Sequence, residues 1–195
     1  MTTLYRGMDK AELDAAYNNS AAVNNSAELM ADFSQQSAAA RAVPGAVLGL
    51  RYGPAERNLI DYFPADSAGP VVIFIHGGYW QMRAKESFSY IAKALVPQGL
   101  HVALVGYTLA PHATLGEITQ EIKSAISFLK LNAASYGGDP ARMVVSGWSA
   151  GGHLTALCLD QPGVVGGVAI SGIYDLAPML LSYINDKLGL VPKRA

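Results

Sequence analysis

The stretch Met143-Val144-Val145-Ser146-Gly147-Trp148-Ser149-Ala150-Gly151-Gly152-His153 decides the fold. Met143 to Val145 is a short apolar run that reads as a buried strand, and Ala150 to Leu159 reads as a helix. Between them, Gly147-Trp148-Ser149-Ala150-Gly151 forms a G-x-S-x-G pentapeptide. In a chain with 20 glycines the bare pattern is weak; its place at a strand-to-helix turn gives it weight. So tight a turn forces the serine into a strained backbone conformation with its hydroxyl above the sheet. Neighbouring positions must then lack side chains, hence Gly147 and Gly151. The first N–H of the helix, from Ala150, is placed to meet developing negative charge. The competing reading is a glycine-rich turn with an incidental serine.

Upstream, Val71-Val72-Ile73-Phe74-Ile75 is a continuous apolar strand, and His76-Gly77-Gly78-Tyr79-Trp80 follows it directly. Adjacent glycines let the backbone approach a ligand closely, and the N–H groups of Gly77 and Gly78 can supply further oxyanion donors. Taken alone, the segment is also consistent with a plain Gly-Gly turn. Both motifs lie at the C-terminal ends of strands, where ligands bind in open α/β sheets. Tyr79 and Trp80 either wall an aromatic substrate pocket or anchor the loop on the core. His76 is expected to hold the loop in shape by hydrogen bonding.

The wider rhythm is strand, helix, strand, helix. Val47–Tyr52 and Asn58–Phe63 suit an antiparallel pair at a sheet edge, separated by Gly53-Pro54. Phe88, Ile91, Ala92 and Leu95 trace a helical stripe closed near Gly99, and His101–Val105 is the next strand. Thr114 and Glu117 have capping-box spacing ahead of a long apolar face from Leu115 to Leu129. Val164–Ile170 is the last strand. The first 45 residues form a helical lead-in: Asp9 with Glu12 and Asn25 with Glu28 repeat the capping signal, Leu29 and Phe33 share one face, and the stretch between reads as a loop. The fold class is therefore α/β, a mostly parallel sheet with helices on both faces and a helical N-terminal segment. At 195 residues the chain reads as a single domain.

Composition narrows the function. The chain is 51% hydrophobic and only 15% charged, as a sheet buried on both faces requires. A net charge of -1 without a basic run excludes an electrostatic pull toward nucleic acid or anionic membranes. The single cysteine, Cys158, cannot form an internal disulfide and favours a reducing compartment. The N-terminus, Met1 to Arg6, has no secretory pattern, and no segment approaches the roughly 20 apolar residues needed to span a bilayer. The expectation is a soluble cytoplasmic protein with no cofactor. No histidine has metal-ligand spacing beside a Cys, Asp or Glu, so no metal is expected.

The His-Gly-Gly-Tyr-Trp segment, the Gly-Trp-Ser-Ala-Gly-Gly-His turn and Tyr107-Thr108-Leu109-Ala110-Pro111 together resemble the esterase/lipase group of α/β hydrolases. The H-G-G-x-W signature is similar to the kynurenine formamidase (arylformamidase) branch. The likeness runs from about Tyr52 to Asp175, and more loosely through the N-terminal helices, which in such enzymes cap the pocket. It implies cleavage of a small-molecule formyl amide or short carboxylic ester through an acyl-serine intermediate on Ser149, with Gly77, Gly78 and Ala150 as the oxyanion hole and Tyr79 and Trp80 at the substrate.

In this fold the triad runs Ser, then Asp or Glu, then His. After Ser149 the acids are Asp160, Asp175 and Asp186, and the one histidine is His153, a helical turn past the serine. A side chain there packs under the sheet more readily than it reaches back as a base. Asp175, just beyond the last strand, reads as a loop-capping or pocket residue. Leu190 to Ala195 shows no sign of completing a strand or helix. The expectation is a hydrolase domain lacking its last strands, with an exposed apolar edge at Val164–Ile170 prone to edge-to-edge dimerisation. A non-catalytic relative that binds a small acyl ligand is the competing class.

Overall fold

The computed structural model describes residues 3–192. Met1 and Thr2, at the head of the N-terminal stretch, and Lys193–Ala195, at the close of the C-terminal one, lie outside the described residues. The helical lead-in comprises α1 (Lys10–Ala16), α2 (Asn19–Ala22) and α3 (Ser26–Arg41). The strands β1 (Val47–Arg51), β2 (Leu59–Phe63) and β3 (Gly69–Ile75) come next, then α4 (Tyr90–Leu95), β4 (His101–Val105), α5 (Leu115–Asn132) and β5 (Gly138–Trp148). The chain goes on through α6 (Ala150–Ala156), β6 (Val164–Ile170), α7 (Ala177–Leu181) and α8 (Asn185–Leu188).

The strands form one sheet in the order β1-β2-β4-β3-β5-β6. β1 pairs antiparallel with β2, and β2 with β4; the β4-β3-β5-β6 run is parallel. The period-two geometry of a strand sends alternate side chains to opposite faces. Val71, Ile73, Ile75, Met143 and Val145 join one core with Ile118, Ile122 and Leu129 of α5 and Leu154 of α6. Phe74, Val102 and Leu104 face the other way and pack with Phe88 and Ala92. Apolar side chains on both faces explain why these strands are continuous hydrophobic runs.

Two caps form as the spacing predicts: the Asp9 and Thr114 side chains accept from the Glu12 and Glu117 N–H groups, and each glutamate answers to the cap backbone. Asn25 makes no such bond, because its backbone sits at φ -108°, ψ 26° rather than in the extended region an N-cap needs. On α3 the buried residues are Ser37 and Ala40, while Leu29 is exposed. The helix is held instead by Phe33 stacked on Tyr90 and by the Ser37 hydroxyl accepting from the Tyr90 N–H at 3.1 Å. The stretch expected as a loop between the first two helices contains α2. The stripe expected from Phe88 is a short α4 flanked by 3-10 turns at Lys85–Phe88 and Val96–Gln98. β5 is longer and α6 shorter than the sequence reading gives.

Candidate active site

Ser149 lies between the end of β5 and the start of α6, at φ 56°, ψ -117°. A non-glycine residue there is strained by about 1–3 kcal/mol, which the surrounding packing must over-determine. The packing is visible in the glycines. A Cβ on Gly147 or Gly151 would collide with backbone, with the Gly151 carbonyl in the first case and the Ile75 carbonyl in the second. A Cβ on Gly152 would come 2.9 Å from Gly172 Cα. Helix α6 thus sits directly on the backbones of β3 and the segment after β6. The Ser149 N–H is engaged by the Ile170 carbonyl at 2.8 Å, which ties the turn to β6.

The loop after β3 meets this turn. A Cβ on Gly77 would lie 2.6 Å from the Trp148 carbonyl and 3.1 Å from Ser149 Cβ. Gly78, Tyr79, Trp80 and Arg83 all have positive φ, at 113°, 49°, 59° and 77°. Several bonds hold that conformation. The Gly78 carbonyl accepts from the Gln81 and Met82 N–H groups, and the Trp80 carbonyl accepts from the Ala110 N–H. His76 is fully buried, stacked on Tyr107 at 4.3 Å, with Nδ1 2.8 Å from the Gly77 carbonyl. Burial pushes its pKa down to about 4, so the ring is neutral and Nδ1–H is the donor to that carbonyl. The Tyr107 hydroxyl donates to the His76 carbonyl at 2.9 Å.

Tyr79 and Trp80 separate in role. Trp80 has no exposed surface and meets His153 edge-on, with ring centroids 5.2 Å apart. In this structure its ring is packed inside the protein against α6, and of the two readings left open for it, pocket wall or loop anchor, burial suits the anchor. Tyr79 is half-buried, and its hydroxyl donates to the Tyr17 carbonyl and accepts from Asn19 Nδ2. Burial raises its pKa to about 12. The N-terminal segment therefore lies against the loop. It also meets the other end of the chain, where Asp14 accepts from the Tyr183 N–H and Tyr5 donates to Asp175.

Among the described residues no histidine side chain hydrogen-bonds to Ser149. His153 turns its ring onto Trp80, and its direct bond with Ser149 is the helical one from its own N–H to the Ser149 carbonyl, 3.1 Å. Burial lowers its pKa. His101 opens β4, at the end of the parallel strands opposite to Ser149, and contacts Ser67 and Ala65. His112 is on an exposed loop. Asp175 caps α7 by accepting from the Ala177 N–H, a bond that lowers its pKa. Cys158 is buried, and burial pushes its thiol up to about 11. Among the described residues no group of three or more His, Cys, Asp or Glu could hold a metal ion, and no helix is long and apolar enough to cross a membrane.

Sequence reasoning missed three supports of the site. Arg57 donates to the Tyr107 and Arg83 carbonyls at 2.8 and 2.7 Å, joining the two loops above the sheet. Glu121 accepts from the backbone and hydroxyl of Thr108. Asp61, fully buried, pairs with Arg41 and Lys85. Only Asp61 carries a hint in sequence, as a charge inside an apolar strand.

The BD-FAE family profile matches residues 61–161, more than half of the chain. The chain belongs to the BD-FAE family. This BD-FAE chain is 32% identical over 167 residues to a kynurenine formamidase of Danio rerio, covering 80% of this chain and 56% of that protein. It is 35% identical over 111 residues to an isoprenylcysteine alpha-carbonyl methylesterase of Arabidopsis thaliana, covering 55% of this chain and 26% of that one. Among solved structures, a thioesterase candidate from a Silicibacter species superimposes with a TM-score of 0.81 at 33% identity, covering 92% of this chain and 71% of its own. The chain spans about half the length of the formamidases it matches. Its architecture is the α/β-hydrolase fold of esterases, and its resemblance to the esterase and arylformamidase group stands.

Proposed function

We propose that this chain carries the nucleophile and oxyanion half of a serine hydrolase that cleaves a small formyl amide or short carboxylic ester. The observation that carries the reading is the contact of Gly77 with Ser149, which sets the loop after β3 against a strained serine at the end of β5. The similarity to formamidases and methylesterases supports the substrate class.

In this reading the Ser149 hydroxyl oxygen attacks the substrate carbonyl carbon while its proton passes to a base. The oxygen of the tetrahedral intermediate gains negative charge and is met by the N–H groups of Gly77, Gly78 and Ala150. Collapse expels the amine or alcohol with a proton and leaves acyl-Ser149, which water then hydrolyses. Tyr79 borders the substrate. In this reading the base is none of His76, His101 and His153, whose rings are engaged elsewhere by the contacts described above. The lone buried cysteine suits a reducing, cytoplasmic setting.

Among the described residues no histidine side chain bonds to the Ser149 hydroxyl, which favours a second reading, a binding protein that holds an acyl ligand without cleaving it. One experiment separates the two. On exposure to p-nitrophenyl acetate, the first reading expects one acetyl group on Ser149, found by peptide mass spectrometry and absent from Ser149→Ala. Acetylation scattered over lysines and unchanged in Ser149→Ala contradicts it.

A further inference from the structure

Arg57 precedes β2, which β4 and β3 separate from β5 and Ser149, and it directs its guanidinium at two backbone carbonyls. Its Nε–H donates to the Tyr107 carbonyl at 2.8 Å and its Nη2–H to the Arg83 carbonyl at 2.7 Å. Among the described residues Arg57 forms no ion pair. Bonds from a cation are about twice as strong as neutral ones, so these two hold the carbonyls firmly. Arg57 is itself fixed to the sheet. Its carbonyl accepts from the Leu59 N–H at 2.8 Å, and the Leu59 carbonyl accepts from the Gly106 N–H at 2.9 Å, just past β4.

Each of the two carbonyls leads to one of the oxyanion donors. The Arg83 carbonyl belongs to the turn that holds Gly78. The Gly78 carbonyl accepts from the Gln81 and Met82 N–H groups at 2.9 and 3.0 Å, and a Cβ on Gly78 would stand 2.8 Å from Arg83 Cγ. Arg83, Tyr79 and Trp80 in this turn are non-glycine residues at positive φ, a conformation that persists only where the surroundings enforce it. The Tyr107 carbonyl leads to Gly77. The Tyr107 ring stacks on His76 at 4.3 Å, its hydroxyl donates to the His76 carbonyl at 2.9 Å, and His76 Nδ1 meets the Gly77 carbonyl at 2.8 Å. We propose, on the reading of Ser149 as the nucleophile, that Arg57 is a positioning residue of the reaction: one guanidinium sets both the Gly77 and the Gly78 N–H groups toward the oxygen of the tetrahedral intermediate. Arginine suits the task because its planar fork serves two acceptors at a fixed separation, whereas lysine brings a point charge to one.

Arg57 also borders a cleft of about 230 Å³ with Leu59, Lys85 and Gly106, so truncation to alanine leaves room for a free guanidinium ion. The test follows Ser149 acetylation by p-nitrophenyl acetate to saturation, by mass, in the parent, Arg57→Ala and Arg57→Lys. Hydrogen exchange over residues 76–83 is measured on the same proteins. The maximal acetylation rate is expected to fall in both variants, by on the order of 10²-fold in Arg57→Ala, with the half-saturating concentration near the parent's, because the donors act on the transition state. The 76–83 amides should exchange faster. Guanidinium, far below denaturing concentrations, should restore Arg57→Ala severalfold and leave Arg57→Lys unchanged. If thermal unfolding shows that Arg57→Ala does not fold, Arg57→Lys decides. Parent-like acetylation with a lowered unfolding midpoint makes Arg57 a structural residue alone and overturns the proposal, as does slowed acetylation with parent-like exchange over 76–83. A parent that carries no acetyl group on Ser149 defeats the reading of the serine, and the role of Arg57 with it, so the two failures are told apart.

Discussion

Gly77 abuts Ser149: a methyl group added to Gly77 would stand 3.1 Å from Ser149 Cβ and 2.6 Å from the Trp148 carbonyl. The loop after β3 and the turn after β5 are therefore one packed unit. Gly77→Ala must push the loop off the serine, and a displacement near 1 Å lowers the rate of positioned chemistry by on the order of 10²-fold. The rate of Ser149 acetylation by p-nitrophenyl acetate, followed by mass, measures the loss.

The same packing predicts unequal costs for two glycine substitutions. A Cβ on Gly151 runs into the Ile75 carbonyl at the end of β3 and the His76 carbonyl just after it, backbone that cannot yield. Gly151→Ala is expected to destabilise by about 3 kcal/mol. Gly166, on the β6 edge, has nothing within 4 Å of its Cβ position. Gly166→Ala is expected to stay within about 0.5 kcal/mol of the parent. Urea midpoints of the two variants check the contrast.

Stability should fall on mild acidification, and the sign follows from His76. Its pKa is about 4 when folded against 6.5 for the free side chain, so between those values the unfolded chain binds a proton that the folded chain refuses. Stability from this group is full above pH 6.5, declines as pH drops toward 4 and levels off below, losing at most about 3 kcal/mol. His153 adds in the same direction. Urea unfolding at pH 7 and pH 4.5 measures the slope, and His76→Gln should flatten it.

Asp61 predicts a large loss. Its carboxylate is fully buried between Arg41 and Lys85 and also accepts from the Gly49 N–H at 2.9 Å. Asp61→Ala leaves buried Lys85 without its partner on β2, at a cost of about 3–5 kcal/mol. Thermal unfolding reports it.

Tyr79→Phe removes the bonds to Tyr17 and Asn19 and leaves the ring in place. The expected cost is about 1 kcal/mol. Faster hydrogen exchange in α1 and α2, with β3 to β5 unchanged, identifies the N-terminal segment as the part released.

Much of this was legible in the sequence, for local reasons. His101–Val105 and Val164–Ile170 are strands at the predicted residues, because continuous apolar runs bounded by glycine admit little else. The Asp9 and Thr114 caps are three-residue signals and formed. The turn at Ser149 was legible because its glycines answer a local steric demand. What sequence did not show is long-range. Arg57 reaches carbonyls 26 and 50 residues away, and no periodicity encodes that. The burial of Trp80 depends on His153 arriving from another strand-helix unit. Asn25 misled because spacing suggests a cap, while only the backbone angles decide whether one forms.

We propose that Ser149 is the nucleophile and that its base is not His153. Fluorophosphonate labelling in increasing imidazole, read by peptide mass spectrometry, tests both halves at once. The expected result is slow labelling of Ser149 that imidazole accelerates, that His153→Gln leaves intact and that Ser149→Ala abolishes. Labelling at another residue, or loss of Ser149 labelling in His153→Gln, would contradict it.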